Sequence, residues 1–493
     1  MLIRHEHDTA STSDITGWFD HDLVIGGVSR AASTGERFDV INPATGSTIA
    51  SVASASVADG LSAVRAAEKA LPEWAARAPR ERAEILRKAF ELMRDRAEDL
   101  AKLVVLENGK SLADARGEIS YASEFFRWYS EETVRLLGTM QVSPNGQNRI
   151  LVSHQPIGVS VLVTPWNFPA AMATRKIGPA LAAGCTVILK PASDTPLTAL
   201  AIGQLLTDAG VPAGVVNILP SRKSGSVVGA MLDDPAVRKL SFTGSTEVGR
   251  ILLANASTTV VNCSMELGGN APFLVFEDAD MDSAIDGAML AKMRNGGEAC
   301  TAANRFYVHS SVAKEFSQRL SKRMAALQMG DGLDESVGLG PLINEEARDK
   351  VHGLVTAAVG AGATAMSGGQ PDDGAGYFYP PTVLVDVAPD SPILNEEIFG
   401  PVAPVVTFET DDEAVRLANN TEFGLVAYVY TSDLSRGLAI SQRLETGMVG
   451  LNRGLVSDPA APFGGFKQSG IGREGGHEGM LEFTESQYVA VSW

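Results

Sequence analysis

Val159-Ser160-Val161-Leu162-Val163-Thr164-Pro165-Trp166-Asn167-Phe168-Pro169 reads as a short β-rich run, a turn, and a proline placed to open a helix. The alternation repeats downstream: the sequence predicts strands over 186–189, 215–219 and 239–242, and helices after Pro169, Pro196, Ser224 and Ser245. Strands so spaced need crossover helices, which is the signature of a doubly wound parallel sheet. Such a sheet binds its ligand at the carboxyl ends of its strands, where Thr164 to Asn167 and Gly244-Ser245 fall.

Upstream the period is helical. Leu61, Val64, Ala67, Leu71 and Trp74 share one face, with Ser56 and Asp59 spaced as a capping box. A longer helix is expected from Pro79, with apolar positions at Ile85, Leu86, Phe90, Met93, Ala97, Leu100 and Val104, until Asn108-Gly109 stops it. Residues 113–137 repeat the helical pattern. Pro144-Asn145-Gly146 is a turn signal and 149–154 reads as strand, which predicts a β-hairpin arm. Downstream, a second α/β region spans about 266–462, with a Gly/Pro/Asp-rich surface loop at 367–381. The end, 485–493, alternates as a strand with nothing local to pair with, so it is expected to complete a neighbouring subunit's sheet.

A chain of 493 residues is long enough for about three domains, and 45% hydrophobic with 20% charged residues is ordinary globular composition. The formal net charge of −18 repels phosphate backbones and anionic membranes, which argues against nucleic acid as a partner. Three scattered cysteines, Cys185, Cys263 and Cys300, make neither a disulfide framework nor a zinc cage and suggest a reducing compartment. The histidines show no ligand spacing, and His5-Glu6-His7 reads as part of a frayed tail, so no metal site is expected. The first twenty residues hold no apolar h-region. The longest near-apolar run, 177–189, is interrupted by Gly178, Pro179 and Gly184 and falls short of the ~20 residues that span a bilayer. A cytoplasmic protein without a membrane segment is expected.

Few residues offer chemistry. A Gly-x-Gly-x-x-Gly fingerprint is absent from the first strand–helix turn, but in Phe242-Thr243-Gly244-Ser245-Thr246-Glu247-Val248-Gly249 a strand ends in a Gly-Ser turn before a helix, so backbone N–H groups could meet a pyrophosphate. A simple αβ turn is the equal alternative. Cys300, in Asn295-Gly296-Gly297-Glu298-Ala299-Cys300-Thr301, has glycines and small neighbours that leave its sulfur accessible, whereas Cys185 and Cys263 read as buried packing thiols. Glu266, in Met265-Glu266-Leu267-Gly268-Gly269-Asn270, is a carboxylate in apolar company whose pKa burial would raise; an N-cap or ion-pair glutamate is the other reading. Asn167 at a strand end could donate to an oxyanion, or simply make a turn between prolines.

Together these segments resemble the aldehyde dehydrogenase superfamily along nearly the whole chain, from Ile41-Asn42-Pro43-Ala44-Thr45-Gly46 to Pro462-Phe463-Gly464-Gly465-Phe466-Lys467-Gln468-Ser469-Gly470. The ordered set Pro-Trp-Asn-Phe-Pro (165–169), Lys-Pro-Ala (190–192), Phe-Thr-Gly-Ser (242–245), Glu-Leu-Gly-Gly (266–269), Cys300 and Glu-Glu-Ile-Phe-Gly-Pro (396–401) carries the likeness. The resemblance implies an α/β fold with a Rossmann-type parallel-sheet cofactor domain (1–130 and 150–264), an α/β catalytic domain (265–465) and an oligomerisation arm made of a β-hairpin and the C-terminal strand (131–149 and 466–493). It implies Cys300 as nucleophile, Glu266 as general base, and Asn167 with the Cys300 backbone N–H as oxyanion hole. It places the cofactor's pyrophosphate near Gly244 and Ser245, its riboses at Lys190 and Glu397, and Trp166, Leu267 and Phe399 in contact with it. A homodimer or homotetramer is expected.

Two details narrow the family. Where many members carry a ribose-binding Glu three residues after the strand-end lysine, this chain has Ser193, which accommodates a 2′-phosphate; NADP is expected, with NAD possible. Broad-specificity members carry aromatic residues in the substrate tunnel where this chain has Arg175 and Arg294, and guanidiniums there suit a small aldehyde with a distal carboxylate. Together with Ser457, this is similar to succinate-semialdehyde dehydrogenases. The alternatives are ion-paired surface arginines, a longer substrate such as glutarate semialdehyde or an uncharged aliphatic aldehyde, a CoA-acylating enzyme, against which Glu266 counts, and a catalytically silent binding protein. Ala302 stands where some relatives carry a second cysteine, so a local disulfide switch is not expected.

Overall fold

The computed structural model describes the backbone of Leu2–Ile3 and residues 15–492; His5-Glu6-His7 and Trp493 lie outside the described residues. Five strands, β1 (Val159–Val163), β2 (Thr186–Lys190), β3 (Val216–Ile218), β4 (Val237–Thr243) and β5 (Asn262–Glu266), run parallel in the order β5-β4-β1-β2-β3. The helices between them, α1 (Pro169–Ala183), α2 (Leu197–Ala209), α3 (Ser224–Leu232) and α4 (Thr246–Ser257), begin where the prolines and serines predict. Short antiparallel strands extend the sheet: Leu23–Ile25 beside β3, and Gly470–Ile471 beside β5. Strand order reverses between β1 and β4, which makes their carboxyl ends the crevice of the fold. Register aligns Lys190, Val163, Phe242 and Met265 in one row at that edge, with Thr243 and Glu266 paired one step further.

Neither α1 nor α2 has a side-chain cap of its own, since Pro169 and Pro196 occupy their entries. Two buried glutamates from other helices fill the gap. Glu118 accepts from the N–H groups of Ala170 (2.8 Å) and Ala171 (3.2 Å), and Glu107 from those of Leu197 (2.7 Å) and Thr198 (2.9 Å). Each satisfies orphan donors at the positive end of a helix dipole.

After β5 the chain enters a seven-stranded sheet through β6 (Ala271–Val275), followed by α5 (Met281–Met293) and β7 (Ala303–His309). Its strands are parallel except Thr364–Ser367, which pairs antiparallel with Thr382–Val385.

Four details differ from expectation. The helix predicted from Pro79 to Asn108 is two, Pro79–Asp95 and Ala97–Asn108. Arg96 leaves helical geometry (φ −105°, ψ 20°) while the Leu92 and Leu100 hydrogen bonds continue across it, and its guanidinium lies 4.5 Å over Trp18. Good helix formers on both sides hide such a kink from periodicity. The next helix stops at Glu132, followed by a 3₁₀ turn at Thr133–Arg135. The C-terminal strand, Thr484–Val491, does have a partner in its own chain: it pairs antiparallel along all of Arg149–Pro156, which also pairs with Thr139–Val142. Of the two cysteines read as packing thiols, Cys185 is buried but Cys263 is only half-buried. Among the described residues no helix is long and apolar enough to cross a membrane, and no cluster of three potential metal ligands occurs.

Candidate active site

Beyond β1, the loop to α1 is held from below. Asn108 Nδ2 donates to the Trp166 carbonyl (3.1 Å), and the buried Lys110 donates to the Asn167 carbonyl (2.8 Å) and to Glu118 (2.6 Å). Asn167 is buried; its Nδ2 donates to the Glu298 carbonyl at 3.1 Å, which leaves the amide's second N–H uncommitted.

Glu298 belongs to the turn that presents Cys300. Between α5 and β7 the backbone turns left-handed at Asn295 (φ 54°, ψ 37°), Gly296 and Gly297, an economical conformation only for Gly and Asn. The Glu-Leu-Gly-Gly segment packs against this turn so closely that a β-carbon at Gly269 would overlap the Cys300 carbonyl oxygen, so glycine is required there. Burial pushes the Cys300 thiol up to about 12; Arg175 and Arg294 pull it down, while Glu397 and Glu266 oppose them. The thiol is therefore protonated in this state.

Glu266, the last residue of β5, is buried, and neither carboxylate oxygen has a hydrogen-bond partner among the described residues. Burial, reinforced by the negative charge of Glu474, raises its pKa well above the carboxylate range, against the pull of Arg175, Lys176 and Arg473. Glu474 shows the reverse: although buried, it is ion-paired to both Arg175 and Lys176, which hold its pKa down.

A cavity of about 680 Å³ runs along the crevice. It brings together Trp166, Asn167, Lys190, Ser193, Gly244, Ser245, Leu267, Cys300, Glu397 and Phe399, together with Ser224, Asp194 and Lys350. The Lys190 ammonium, pushed down to about 8 by burial against the opposing pull of Asp194, makes no hydrogen bond or ion pair among the described residues. Ser245 caps α4 through the Val248 N–H, so that helix points its positive end into the cavity. Glu397, raised to about 7 by burial, accepts from the Gly269 N–H (3.0 Å). Phe399 sits in a left-handed conformation (φ 56°) and meets Trp166 edge-on at 5.4 Å.

Glu266, Arg175, Arg294 and Ser457 do not line that cavity; the first three act on Cys300 from beyond it. The two arginines differ. Arg175, 1% exposed, is neutralised by Glu474 and stacks 4.2 Å over Phe463; it is ion-paired, but in the core and not at the surface as that alternative has it. Arg294 is half-buried, lies 5.1 Å over Phe168, reaches Thr301 Oγ1 at 3.4 Å, and has no ion-pair partner among the described residues. Ser457 is half-buried in the loop after Met448–Leu451.

Sequence reasoning missed Glu474, Lys176, Lys110 and Asn295. Lys176 had a signal: two adjacent cations, Arg175 and Lys176, inside an apolar helix demand a buried acceptor.

The model of the family described as "Aldehyde dehydrogenase family" matches residues 30–489. A succinate-semialdehyde dehydrogenase of Paenarthrobacter nicotinovorans is 56% identical over 444 residues, covering 90% of this chain and 99% of the relative. A glutarate-semialdehyde dehydrogenase of Pseudomonas aeruginosa is 46% identical, over 96% of this chain and 98% of the relative. The crystal structure of an NADP-dependent enzyme from E. coli superposes with a TM-score of 0.95 at 46% identity, covering 98% of this chain and 99% of that one.

Proposed function

The chain belongs to the aldehyde dehydrogenase family, and on that premise we propose that it is an NADP-dependent enzyme that oxidises succinate semialdehyde to succinate. The observation that carries this reading is the pairing of a cofactor-sized cavity ending at Cys300 with a neighbouring guanidinium, Arg294, that makes no ion pair among the described residues and feels Asp114 only through its field.

The residues present fit the cofactor. Lys190, a buried ammonium with no hydrogen bond or ion pair among the described residues and only the field of Asp194 to balance it, and Ser193 suit a ribose carrying a 2′-phosphate; the N-terminus of α4 beyond Gly244 suits a pyrophosphate; Glu397, Leu267, Trp166 and Phe399 suit the nicotinamide end. NADP supplies there the acceptor for the hydride lost from the aldehyde carbon. NAD remains usable, because Ser193 admits the phosphate without requiring it.

The chain's own residues do the rest. Cys300 first gives its thiol proton to solvent, the resulting thiolate being favoured by Arg175 and Arg294; Sγ then adds to the carbonyl carbon, and the alkoxide so formed accepts from the free Asn167 amide N–H and the Cys300 backbone N–H. Loss of hydride leaves a thioester on Cys300. Glu266, once deprotonated, takes a proton from water, whose oxygen attacks the thioester carbon; the C–S bond breaks and succinate leaves. Arg294 binds the distal carboxylate, with Ser457 beside it and Arg175, held by Glu474, contributing through its field. Glutarate semialdehyde is a second reading, favoured by the P. aeruginosa relative, because one methylene changes pocket binding by only ~1–3 kcal/mol.

The domain division is that of the sequence: 1–130 with 150–264 for the cofactor, 265–465 for catalysis, 131–149 with 466–493 for the arm. The eight- and seven-stranded sheets and the separate three-stranded sheet support it in outline, although Arg149–Pro156 joins the arm's sheet, and Met265-Glu266 and Gly470–Ile471 join the cofactor sheet. The arm presents Leu137 (74% exposed), Met140, Val142, Tyr488 and Val489, an apolar surface that supports a homodimer or homotetramer. A cytoplasmic location rests on three free thiols.

The test is kcat/KM for succinate semialdehyde, glutarate semialdehyde and butanal, each with NADP and NAD. A large preference for a carboxylated aldehyde with NADP is expected; butanal turned over as well as either semialdehyde would overturn the substrate assignment.

A further inference from the structure

Asn295 makes two hydrogen bonds with one amide. Its Nδ2 donates to the Asn167 carbonyl (2.9 Å) and to the Glu298 carbonyl (2.9 Å), the same Glu298 oxygen that accepts from Asn167 Nδ2. The side chain therefore ties the loop that carries the oxyanion amide to the turn that carries the nucleophile. The orientation is forced, since turning the amide over would set its oxygen against two carbonyl oxygens. Its Oδ1 is buried with no partner among the described residues, a cost of the kind proteins retain when a group has work to do. The anchorage continues outward: the Asn295 N–H donates to Asp114 at 3.0 Å, and Lys110 also donates to the Asn167 carbonyl at 2.8 Å.

We propose that Asn295 is a positioning residue for the oxidation step, locking the Asn167 amide and the Cys300 turn into one rigid unit. This inference rests on the assignment of Asn167 as an oxyanion donor. An amide displaced by an ångström loses most of its hold on the developing alkoxide, whereas cofactor binding and thiol access need no such alignment.

Asn295→Gly tests it without backbone strain, because glycine accepts the left-handed conformation that Asn295 occupies. Asn295→Asp, which replaces the donor by an acceptor facing two carbonyls, is the second variant if the first folds poorly. The readouts are the pre-steady-state rate of NADPH formation, the Kd for NADP, and the rate of Cys300 alkylation by iodoacetamide followed by mass spectrometry. The NADPH burst should slow by roughly 10- to 100-fold, while the Kd and the alkylation rate stay within about threefold. Asn167→Ala should slow the burst at least as much, and the double variant should be no slower than Asn167→Ala alone, as expected for residues acting as a unit. A burst within threefold of the parent, additive losses, or parallel collapse of NADP binding and alkylation would each overturn the proposal. If Asn167→Ala itself leaves the burst intact, the oxyanion assignment has failed, and the clamp with it; if only Asn295→Gly does, the clamp alone has failed.

Discussion

Replacing Arg294 by methionine should separate charged from uncharged aldehydes. In the protein this guanidinium rests on the Phe168 ring, reaches Thr301 Oγ1 only at 3.4 Å, and makes no ion pair among the described residues, Asp114 acting on it only through its field. A substrate carboxylate would thus form the principal charged hydrogen bonds that Arg294 makes, worth about 1.5–3 kcal/mol, or roughly 10- to 150-fold in binding. The same substitution withdraws a positive charge that lowers the Cys300 pKa, so every substrate loses some rate. That shared loss cancels in a ratio. The quantity to follow is kcat/KM for succinate semialdehyde divided by that for butanal, measured by NADPH absorbance, and it should fall by 10- to 150-fold. Thermal stability should change little, because Asp114, the carboxylate in the field of Arg294, keeps Lys110 and the Asn295 N–H. Arg175→Met is the contrast: it leaves buried Glu474 facing Lys176 alone, so a loss of about 3–5 kcal/mol of stability is expected. An unchanged ratio for Arg294→Met would refute the anchoring argument.

Cys300→Ala should abolish turnover and leave NADP binding measurable by fluorescence titration; a near-normal rate would dismiss the thiol mechanism. Glu266→Gln should retain a burst of NADPH and then turn over slowly, since only deacylation uses the carboxylate. Because burial and Glu474 raise the Glu266 pKa, the deacylation rate of the parent should rise with pH through a midpoint well above 4.5, and a plateau from pH 5 upward would show Glu266 to be already ionised. Glu107 gives a stability prediction: its native pKa, raised to about 8 from an unfolded value near 4.5, means that the unfolded state loses its proton first as pH rises. Stability should therefore fall between pH 4.5 and 8, by on the order of 4 kcal/mol, and Glu107→Gln should flatten that slope in thermal melts across this range.

The parallel sheet was legible because Val159–Val163 and its successors each pair a β-branched run with a proline or serine at the next helix entry. Cys300, Glu266 and Asn167 stood out as chemistry-bearing side chains among glycines and apolar neighbours. What holds them did not. Glu474 lies 298 residues beyond Lys176, and nothing in its local sequence says that it will face two cations across the core. Asn295 reads as a turn residue, which it is; that its amide spans two loops depends on Asn167 arriving from another part of the chain. The C-terminal strand failed for the same reason, since its partner lies more than 300 residues upstream.

The net charge of −18 repels an anionic semialdehyde and a phosphorylated cofactor alike, so the site must offset that field locally. The placement of its four ionisable neighbours does so. Arg175 and Lys176 together carry one charge more than Glu474 neutralises, and Arg294 adds another. Glu474 stays ionised because both cations touch it; Glu266, denied any hydrogen bond, is pushed toward its neutral form by burial and by Glu474 itself. One environment thus drives two carboxylates in opposite directions, which is how a protein assigns one of them to structure and the other to proton transfer. A neutral Glu266 also leaves only Glu397 to oppose the positive charge around Cys300 when the anionic substrate approaches, and it becomes a base only after giving up its proton. Were Glu266 ionised throughout, the carboxylate needed for deacylation would weaken the attraction that brings substrate to the thiol.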